Sequence, residues 1–384
     1  MTLDDRSSEL EEYWSCDYLE NGLSFSYFSI RSCAIVHHGT GEPTLLAYRG
    51  GDICFDDVIT ARRDIVSQNQ TATHHPNCKG CPNLVKRPWP QANYPVRWLG
   101  ITAWLGCNLK CRYCWLEWAD WSPRKTRAKL KSYDVYRSVR QLIEKQYLAP
   151  DAVIDWGGGG EPSLMPEFNQ TLRLLSDHGT TQWVHTNATQ TPTFLKEGAV
   201  EASRIHVLCS VDAGSPSVYQ QLKGYDLYNT VWQNLRTYIL AGAVVTVKYI
   251  MLPENCSRQE IRRFVRRAIA SGRPTILGDF DYRFPEPTSD ILDGLAYLQL
   301  LADKYGLAYS FEGVGRNSFA GGDLKAAVEA HFPNVYHDAY LYPLRILSKA
   351  PQTGYRLSIL SSLLIQRGRE KLGLLFGYLL KFAR

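Results

Sequence analysis

Long apolar runs are absent from this 384-residue sequence. The longest one near the C-terminus, LGLLFGYLL, has nine residues, whereas a membrane-spanning helix needs about 20. The first residues, MTLDDRSSELEEYW, are acidic and lack the apolar core of a secretory signal peptide. These absences argue against membrane insertion and export, and we expect a cytoplasmic protein whose thiols stay reduced.

A general excess of positive charge is missing as well. The net charge is +5, but residues 341–384 carry eight Lys or Arg and one Glu, which leaves −2 on the rest of the chain. No recognisable RNA-binding module is present, so nucleic acid is disfavoured as a partner. The basic tail has apolar residues at helical spacing. A helix docked on the protein's own core and an amphipathic helix on an anionic membrane surface both match this pattern.

A fourth cysteine is missing from the stretch CNLKCRYC, residues 107–114, which holds three of the ten cysteines. Structural zinc sites and ordinary iron–sulfur clusters take four ligands. The spacing of Cys107, Cys111 and Cys114 therefore predicts a metal centre with one open position, where a substrate or cofactor binds. Three buried thiols in a loop are the alternative interpretation.

Strand-like apolar runs alternate with helix-period segments between about residues 99 and 282. The predicted strands are 100–106, 153–157, 183–187, 205–212, 244–252 and 275–281. The predicted helices lie near 135–143, 168–175, 228–241 and 258–271, the last with a capping box of Ser257 and Glu260. Such alternation predicts an α/β fold with parallel strands, and six of them with polar ends suggest a barrel or part of one.

The barrel divides the chain into three predicted regions. Residues 1–96 form an N-terminal extension with a predicted metal site, 97–285 the barrel, and 286–384 a helical C-terminal region that ends in the basic tail. Chemistry in such folds gathers at the C-terminal ends of the strands. The polar candidates at or near those ends are the run GGGGEP (157–162), Asn187, Ser210, Asp212 and Lys248.

These motifs resemble those of the radical S-adenosylmethionine (SAM) superfamily. The C-x3-C-x2-C loop, with aromatic Tyr113 before its last cysteine, and the GGEP-type motif that begins at Gly159 are the two marks of that family, and the resemblance covers roughly residues 97–285. It implies a partial (β/α)6 barrel and a 4Fe–4S cluster on the three cysteines, with SAM bound at the open iron. It also implies reductive cleavage of SAM to a 5′-deoxyadenosyl radical, which abstracts hydrogen from a substrate carbon.

The resemblance assigns expected roles to the strand-end residues. Tyr113 would lie near the adenine of SAM, and Lys248 would bind its carboxylate. Asn187, Ser210 and Asp212 would lie near the ribose or the carboxylate. Backbone groups of the glycine motif would meet the SAM amino group, and the members of this motif are Gly158, Gly159, Gly160, Glu161 and Pro162.

Five cysteines precede the barrel, and two of them, Cys78 and Cys81, form a C-x2-C knuckle in HHPNCKGCPNL. A knuckle needs two more ligands. Cys16 and Cys33 are the first candidates, Cys54 is a substitute, and His74 and His75 are alternates. We predict a second iron–sulfur cluster here, with zinc as the alternative. No cysteine follows Cys256, so the chain differs from superfamily members that carry auxiliary clusters in a cysteine-rich C-terminal domain.

The sequence thus predicts a radical SAM enzyme that acts on a small or carrier-linked substrate, such as a sugar, with an electron donor such as flavodoxin or ferredoxin. Epimerisation, dehydrogenation, rearrangement and carbon–carbon bond formation all begin with the same radical. Cys256 follows the fifth strand and is the candidate hydrogen donor, with an incidental small residue as the alternative. A non-catalytic metal-binding scaffold and an RNA- or peptide-modifying enzyme are the alternative functions.

Overall fold

The structure of the protein is a computed structural model. It describes residues 12–27, 29–33, 44–47, 52–89, 95–114, 133–157, 159–196, 201–281, 283–284, 286–311, 324–332 and 335. Gly158 and the basic tail from residue 341 onwards therefore lie outside the described residues, and the predictions made for them stay predictions.

Twelve strands form among the described residues. They are β1 (Glu12–Ser15), β2 (Gly22–Phe25), β3 (Ser29–Arg31), β4 (Thr44–Ala47), β5 (Val85–Pro88), β6 (Val96–Ile101), β7 (Leu148–Trp156), β8 (Thr181–His185), β9 (Ile205–Ser210), β10 (Val244–Met251), β11 (Thr275–Phe280) and β12 (Tyr309–Phe311). The main helices are α1 (Asp17–Asn21), α2 (Phe55–Asn69), α3 (Val135–Glu144), α4 (Phe168–Asp177), α5 (Pro216–Lys223), α6 (Tyr228–Leu240), α7 (Arg258–Ala270) and α8 (Ser289–Tyr305).

Ten of these strands form one sheet in the order β12-β11-β10-β9-β8-β7-β6-β2-β3-β4. All neighbours from β12 to β2 run parallel, and β3 and β4 continue the sheet as antiparallel strands. The register aligns Leu99 with Ile154 across β6 and β7. The predicted α/β fold with parallel strands is confirmed, and β6 to β11 are the six parallel strands that the sequence predicts.

The helices between these strands bury one apolar stripe each, as their sequence periodicity predicts. In α6 the stripe includes Val231, Trp232 and Leu235, all at most 1% exposed. Fully burying an apolar side chain of this size stabilises the fold by about 1.5–3 kcal/mol. The polar caps hold the ends of the helices, as at α3, where the Asp134 carboxylate accepts a 2.9 Å hydrogen bond from the Arg137 backbone N–H.

The expected capping box of α7 forms only in part. The Ser257 hydroxyl accepts a 3.3 Å hydrogen bond from the Glu260 backbone N–H, as predicted. The Glu260 carboxylate, however, accepts hydrogen bonds from the Gly214 backbone N–H at 2.8 Å and from the Ser215 hydroxyl at 2.7 Å. This buried carboxylate therefore joins α7 to the loop after β9.

The two predicted boundaries, after residues 96 and 285, do not divide the sheet, because strands on both sides of each boundary belong to it. Strand β2 of the N-terminal extension pairs in parallel with β6, and β12, beyond residue 285, pairs in parallel with β11. The N-terminal extension thus contributes strands to the same sheet that carries the cysteine loop. Within the described ranges, no helix is both long and apolar enough to cross a bilayer.

Candidate active site

The cysteine loop follows β6, and the glycine-rich turn after β7 packs directly against it. The Gly160 N–H donates to the Trp104 carbonyl at 3.0 Å, and the Glu161 N–H donates to the Gly106 carbonyl at 2.7 Å. A Cβ atom on Gly160 would overlap the Gly106 carbonyl oxygen, and one on Gly159 would overlap the Tyr27 hydroxyl. Glycine is required at both positions because of this close approach. These contacts also explain why β6 ends at Ile101, earlier than the expected strand 100–106.

The Glu161 carboxylate connects the turn to the end of β8. It accepts hydrogen bonds from the Ser163 hydroxyl at 2.6 Å, the Thr186 hydroxyl at 2.6 Å and the Asn187 N–H at 2.5 Å. Burial raises the pKa of this carboxyl, and the hydrogen bonds partly oppose that shift. Pro162 then begins a short 3-10 helix. The Glu161 side chain is thus occupied in holding the turn, which leaves ligand contact to the backbone.

Asn187 links the end of β8 to the cysteine loop. Its amide nitrogen donates to the Asn108 side-chain oxygen at 2.8 Å and lies 3.7 Å from the Cys107 sulfur. The Asn108 amide in turn donates to the Thr189 hydroxyl at 2.9 Å. Asn187 therefore lies beside the first predicted cluster ligand.

A buried ion pair lies beneath the cysteine loop. Lys223, the last residue of α5, lies 2.5 Å from a carboxylate oxygen of Asp212, and these side chains are 2% and 0% exposed. Between Cys111 and Cys114, Tyr113 donates its hydroxyl to the same carboxylate and accepts from the Lys223 ammonium. The other Asp212 oxygen accepts from the Ile250 N–H at 2.6 Å. The Asp212 carboxylate thus ties the cysteine loop to the ends of β9, α5 and β10.

Further contacts fix the backbone of the cysteine loop. The Lys110 and Arg112 N–H groups donate to the carbonyls of Lys223 and Leu222, at 2.9 and 3.0 Å. The Arg112 side chain pairs with Glu254 after β10. The Arg112 carbonyl accepts a 2.7 Å hydrogen bond from Arg283, which follows β11. Loops after every strand from β7 to β11 therefore contact the cysteine loop at one end of the parallel strands.

Lys248 and Ser210 are register partners on β10 and β9, so their side chains lie on the same face of the sheet. The Lys248 ammonium lies 3.1 Å from an Asp279 carboxylate oxygen on β11, and these side chains are 15% and 5% exposed. Lys248 is therefore a paired, mostly buried cation on the inner strand β10 of the parallel sheet.

The three cysteines of the loop are free thiols of intermediate exposure. Burial raises the pKa of the Cys111 thiol to about 11, the charge of Lys223 lowers it, and charges on Cys114 and Cys107 raise it. In the part of the chain that the structure describes, no three His, Cys, Asp or Glu side chains are grouped to hold a single metal ion. In a 4Fe–4S cluster each thiolate binds a different iron atom. Three interacting thiols that do not converge on one point fit such a cluster.

A pocket opens beside the loop at the ends of β6 and β7. Its lining includes Trp104, Trp156, Gly160 and Met165. The buried indole N–H of Trp104 has no hydrogen-bond partner within the described ranges. A buried donor of this kind favours a ligand that brings an acceptor.

Cys256 follows β10, in a loop that the Glu254–Arg112 ion pair joins to the cysteine loop. Its thiol donates to the Pro253 carbonyl at 3.4 Å. A Cβ atom on Gly294 of α8 would lie 3.4 Å from the Cys256 Cβ. The thiol thus packs toward α8, and its role as a hydrogen donor stays a prediction.

The N-terminal cysteines lie in the described part of the chain, all as free thiols. Cys16 and Cys78 are buried in the same hydrophobic core, and Cys33 and Cys81 are of intermediate exposure, whereas Cys54 is exposed. The structure therefore separates Cys54 from the other four by its environment.

Sequence reasoning missed Lys223, Glu254 and Arg283, which hold the loop. Only Lys223 carried a readable signal: it is four residues from Tyr219 and thus on the buried face of α5. A lysine at that phase of a helix indicates a buried partner. Glu254 and Arg283 lie in loops, where no periodicity marks them.

The chain was compared with protein families, curated proteins and solved structures. Residues 101–268 match the model of the radical SAM superfamily. No curated protein matches the chain. Among solved structures, Streptococcus suis SuiB bound to S-adenosylmethionine is similar, with a TM-score of 0.42 and 16% identity over 74% of this chain and 60% of that one. This chain thus covers less than two thirds of the length of SuiB.

Two other solved structures are also similar. TYW1 with a lysine-pyruvate adduct has a TM-score of 0.36 and 17% identity over 54% of this chain and 71% of that one. A spore photoproduct lyase variant with AdoMet and dinucleoside spore photoproduct has a TM-score of 0.37 and 10% identity over 62% of this chain and 72% of that one.

Proposed function

Since residues 101–268 belong to the radical SAM superfamily, we propose that the chain is an enzyme that cleaves SAM reductively and abstracts a hydrogen atom from a substrate carbon. The observation that carries this proposal is the cysteine loop, held by loops after five successive parallel strands. When bound, a 4Fe–4S cluster supplies one electron to the sulfonium of SAM, which yields methionine and the 5′-deoxyadenosyl radical.

Cys107, Cys111 and Cys114 would hold the cluster and leave its fourth iron open for SAM. The protein's part in the chemistry is to orient the bound groups and exclude water. The buried Tyr113–Asp212–Lys223 contacts and the Arg112 contacts support this role because they restrict the loop between its cysteines.

The surroundings of the residues proposed to contact SAM support some of these contacts more than others. The Gly160 backbone lies at the pocket and against the cysteine loop, which supports contact of the glycine motif with the SAM amino group. Asn187 beside Cys107 supports a contact near the ribose or carboxylate. Lys248 with Ser210 remains our candidate for the carboxylate.

For Tyr113 and Asp212 the hydrogen bonds favour a structural task. The Tyr113 hydroxyl and the Asp212 carboxylate bind each other and Lys223. Contact with SAM would therefore come from the Tyr113 ring or backbone, and Asp212 would act through the loop that it holds.

The substrate is proposed as a small or carrier-linked molecule with an unactivated carbon–hydrogen bond. A low-potential electron donor such as flavodoxin or ferredoxin is needed because SAM cleavage consumes an electron. Ten free thiols favour a reducing compartment such as the cytoplasm.

Docking of the basic tail on a membrane surface stays a prediction. The second metal centre predicted from the N-terminal cysteines is not needed for this chemistry.

Anaerobic incubation of the reconstituted protein with SAM and dithionite tests the proposal. We expect 5′-deoxyadenosine and methionine in equal amounts. Candidate substrates deuterated at the reacting carbon should transfer deuterium into 5′-deoxyadenosine, which identifies the substrate. A protein with full iron and sulfide content that forms no 5′-deoxyadenosine would be a metal-binding scaffold and not an enzyme.

A Cys256→Ala variant tests the proposed hydrogen donor. The thiol cannot act before SAM is cleaved, so the variant should form 5′-deoxyadenosine as the unmodified enzyme does. If the thiol quenches the substrate radical, the variant should lose the inverted product, and product made in D2O by the unmodified enzyme should carry solvent deuterium. Unchanged inversion in the variant would assign the donor role to another group.

A further inference from the structure

Four N-terminal cysteines approach one another in the structure although up to 65 residues separate them in the sequence. Cys16 begins α1, where its sulfur accepts a 3.4 Å hydrogen bond from the Leu19 N–H. Cys16 directly follows β1, whose Ser15 pairs with Val85 of β5. The Leu84 N–H, next to Val85, donates to the Cys81 carbonyl at 3.1 Å. The β1–β5 pairing thus brings Cys16 to the C-x2-C turn.

Cys33 reaches the same place from another strand. It follows β3, which pairs with β2. A Cβ atom on Gly22, the first residue of β2, would lie 3.2 Å from the Ser32 carbonyl oxygen and 2.8 Å from that of Tyr18 in α1. The segment with Cys33 therefore packs against α1, which Cys16 begins.

The thiols are close enough to interact electrostatically. Burial raises the pKa of the Cys16 thiol to about 12, and charges on Cys33 and Cys78 raise it as well. Burial also raises the pKa of Cys78, to which a charge on Cys81 adds. Cys16 and Cys78 thus link all four thiols into one group.

A buried amide faces this group. Asn69, at the end of α2, is 0% exposed, and its side chain lies close enough to Cys78 to lower the pKa of that thiol. The Asn69 side-chain nitrogen is a buried donor that makes no hydrogen bond within the described ranges, whereas its oxygen accepts from the His75 N–H at 2.9 Å. An amide that donates to sulfur stabilises a thiolate, the form that binds metals.

The other candidate ligands are engaged elsewhere. Cys54 is exposed and interacts electrostatically with Lys145. It precedes α2 in the sequence, whereas the knuckle follows that helix. The His74 ring nitrogen Nδ1 lies 2.8 Å from the Asn69 carbonyl. The His75 Nδ1 accepts from the Asn77 N–H at 3.3 Å. The four-cysteine set is therefore the one that the contacts favour.

We propose that Cys16, Cys33, Cys78 and Cys81 bind an iron–sulfur cluster and not a zinc ion. Around tetrahedral zinc the sulfurs lie about 2.3 Å from the metal and hence roughly 3.8 Å from one another. Among the residues that the structure describes, no three His, Cys, Asp or Glu side chains are grouped as ligands of a single metal ion. A cluster spreads its ligands over separate iron atoms and accepts wider spacing. Four thiolates complete its coordination, in contrast to the open site on Cys107, Cys111 and Cys114.

Two side chains join this site to the SAM site. Burial lowers the pKa of Arg31, and charges on Cys33 and Tyr27 raise it. Burial raises the pKa of Tyr27, Arg31 lowers it, and a charge on Cys114 raises it. The Tyr27 hydroxyl lies against Gly159 of the glycine motif, so its electrostatic interaction with Arg31 connects the surroundings of the two cysteine sets. The proposal for the four N-terminal cysteines holds without the proposed function. The presence of a second cluster nearby, at the SAM site, rests on that function.

A variant with Cys107, Cys111 and Cys114 all changed to Ala isolates the N-terminal site. After anaerobic reconstitution it should keep two to four irons per chain with matching sulfide, as a four-cysteine cluster requires, and a low-temperature EPR signal after dithionite reduction. This variant lacks the SAM-site cysteines, so its inability to cleave SAM says nothing about the N-terminal site. The same variant with zinc and no iron, or with no metal, would overturn the proposal.

Single substitutions identify the ligands in the otherwise unchanged protein. Cys78→Ser and Cys33→Ser should each lower iron to the content of the SAM site alone, whereas the matched control Cys54→Ser should keep both clusters. Circular dichroism of the variants separates lost ligation from lost folding. If Cys54→Ser loses as much iron as Cys33→Ser, the assigned ligand set is wrong.

Discussion

Replacing Cys111 with Ala is expected to abolish 5′-deoxyadenosine formation and to remove the iron of the SAM-binding cluster. The loop supplies three thiolates and, by the proposed chemistry, leaves the fourth iron to SAM. Losing one thiolate leaves a second iron without its protein ligand. The stretch 107–114 has no further cysteine that could replace Cys111. Product analysis by liquid chromatography, together with iron and sulfide counts, checks this expectation. The iron of the N-terminal site should remain.

The matched control is Cys209→Ala. Cys209 is a fully buried thiol on β9 and serves as a small apolar side chain of the core. We expect this variant to lose about 1 kcal/mol of stability and to keep its iron and its 5′-deoxyadenosine formation. A Cys111→Ala variant that still cleaves SAM at the rate of the unmodified enzyme would contradict the assignment of the cluster.

The parallel core of the fold was predictable because each of its strands and helices carries its own periodic signal. Strands β7 to β11 lie where the apolar runs predict them, and α6 and α7 bury the stripes that their 3.6-residue spacing indicates. The sequence did not reveal β2, β3 and β4. These strands have three or four residues each, which is too short for an alternating pattern to be read.

The positions of the candidate site residues were predictable, but their partners were not. The motif spacing and the strand-end rule brought Asn187, Ser210 and Asp212 to the rim. The hydrogen bonds of Asp212 depend on Lys223 and Ile250, which belong to the next helix and the next strand. Partners on separate elements are set by tertiary packing, which local sequence does not encode.

Replacing Lys223 with Met is expected to destabilise the protein by about 3–5 kcal/mol, because it leaves the Asp212 carboxylate buried without its cation. Burial is the largest single influence and lowers the pKa of the Lys223 ammonium, but the charges of Asp212 and Cys111 together with the hydrogen bond to Asp212 raise it above its ordinary value. Methionine keeps much of the side-chain volume, so the loss comes mainly from charge. The midpoint of urea unfolding measures the stability. The iron content should fall too, because Tyr113 between Cys111 and Cys114 loses a partner.

Two further variants separate the buried ion pair from a general effect of losing a lysine. Lys145→Met removes an exposed cation that pairs with Asp56 at the surface, and such pairs contribute little. The double variant Lys223→Met with Asp212→Asn leaves no unpaired buried charge and should recover part of the lost stability. A Lys223→Met protein that unfolds at the same urea concentration as the unmodified protein and keeps all its iron would show that the cysteine loop does not depend on this ion pair.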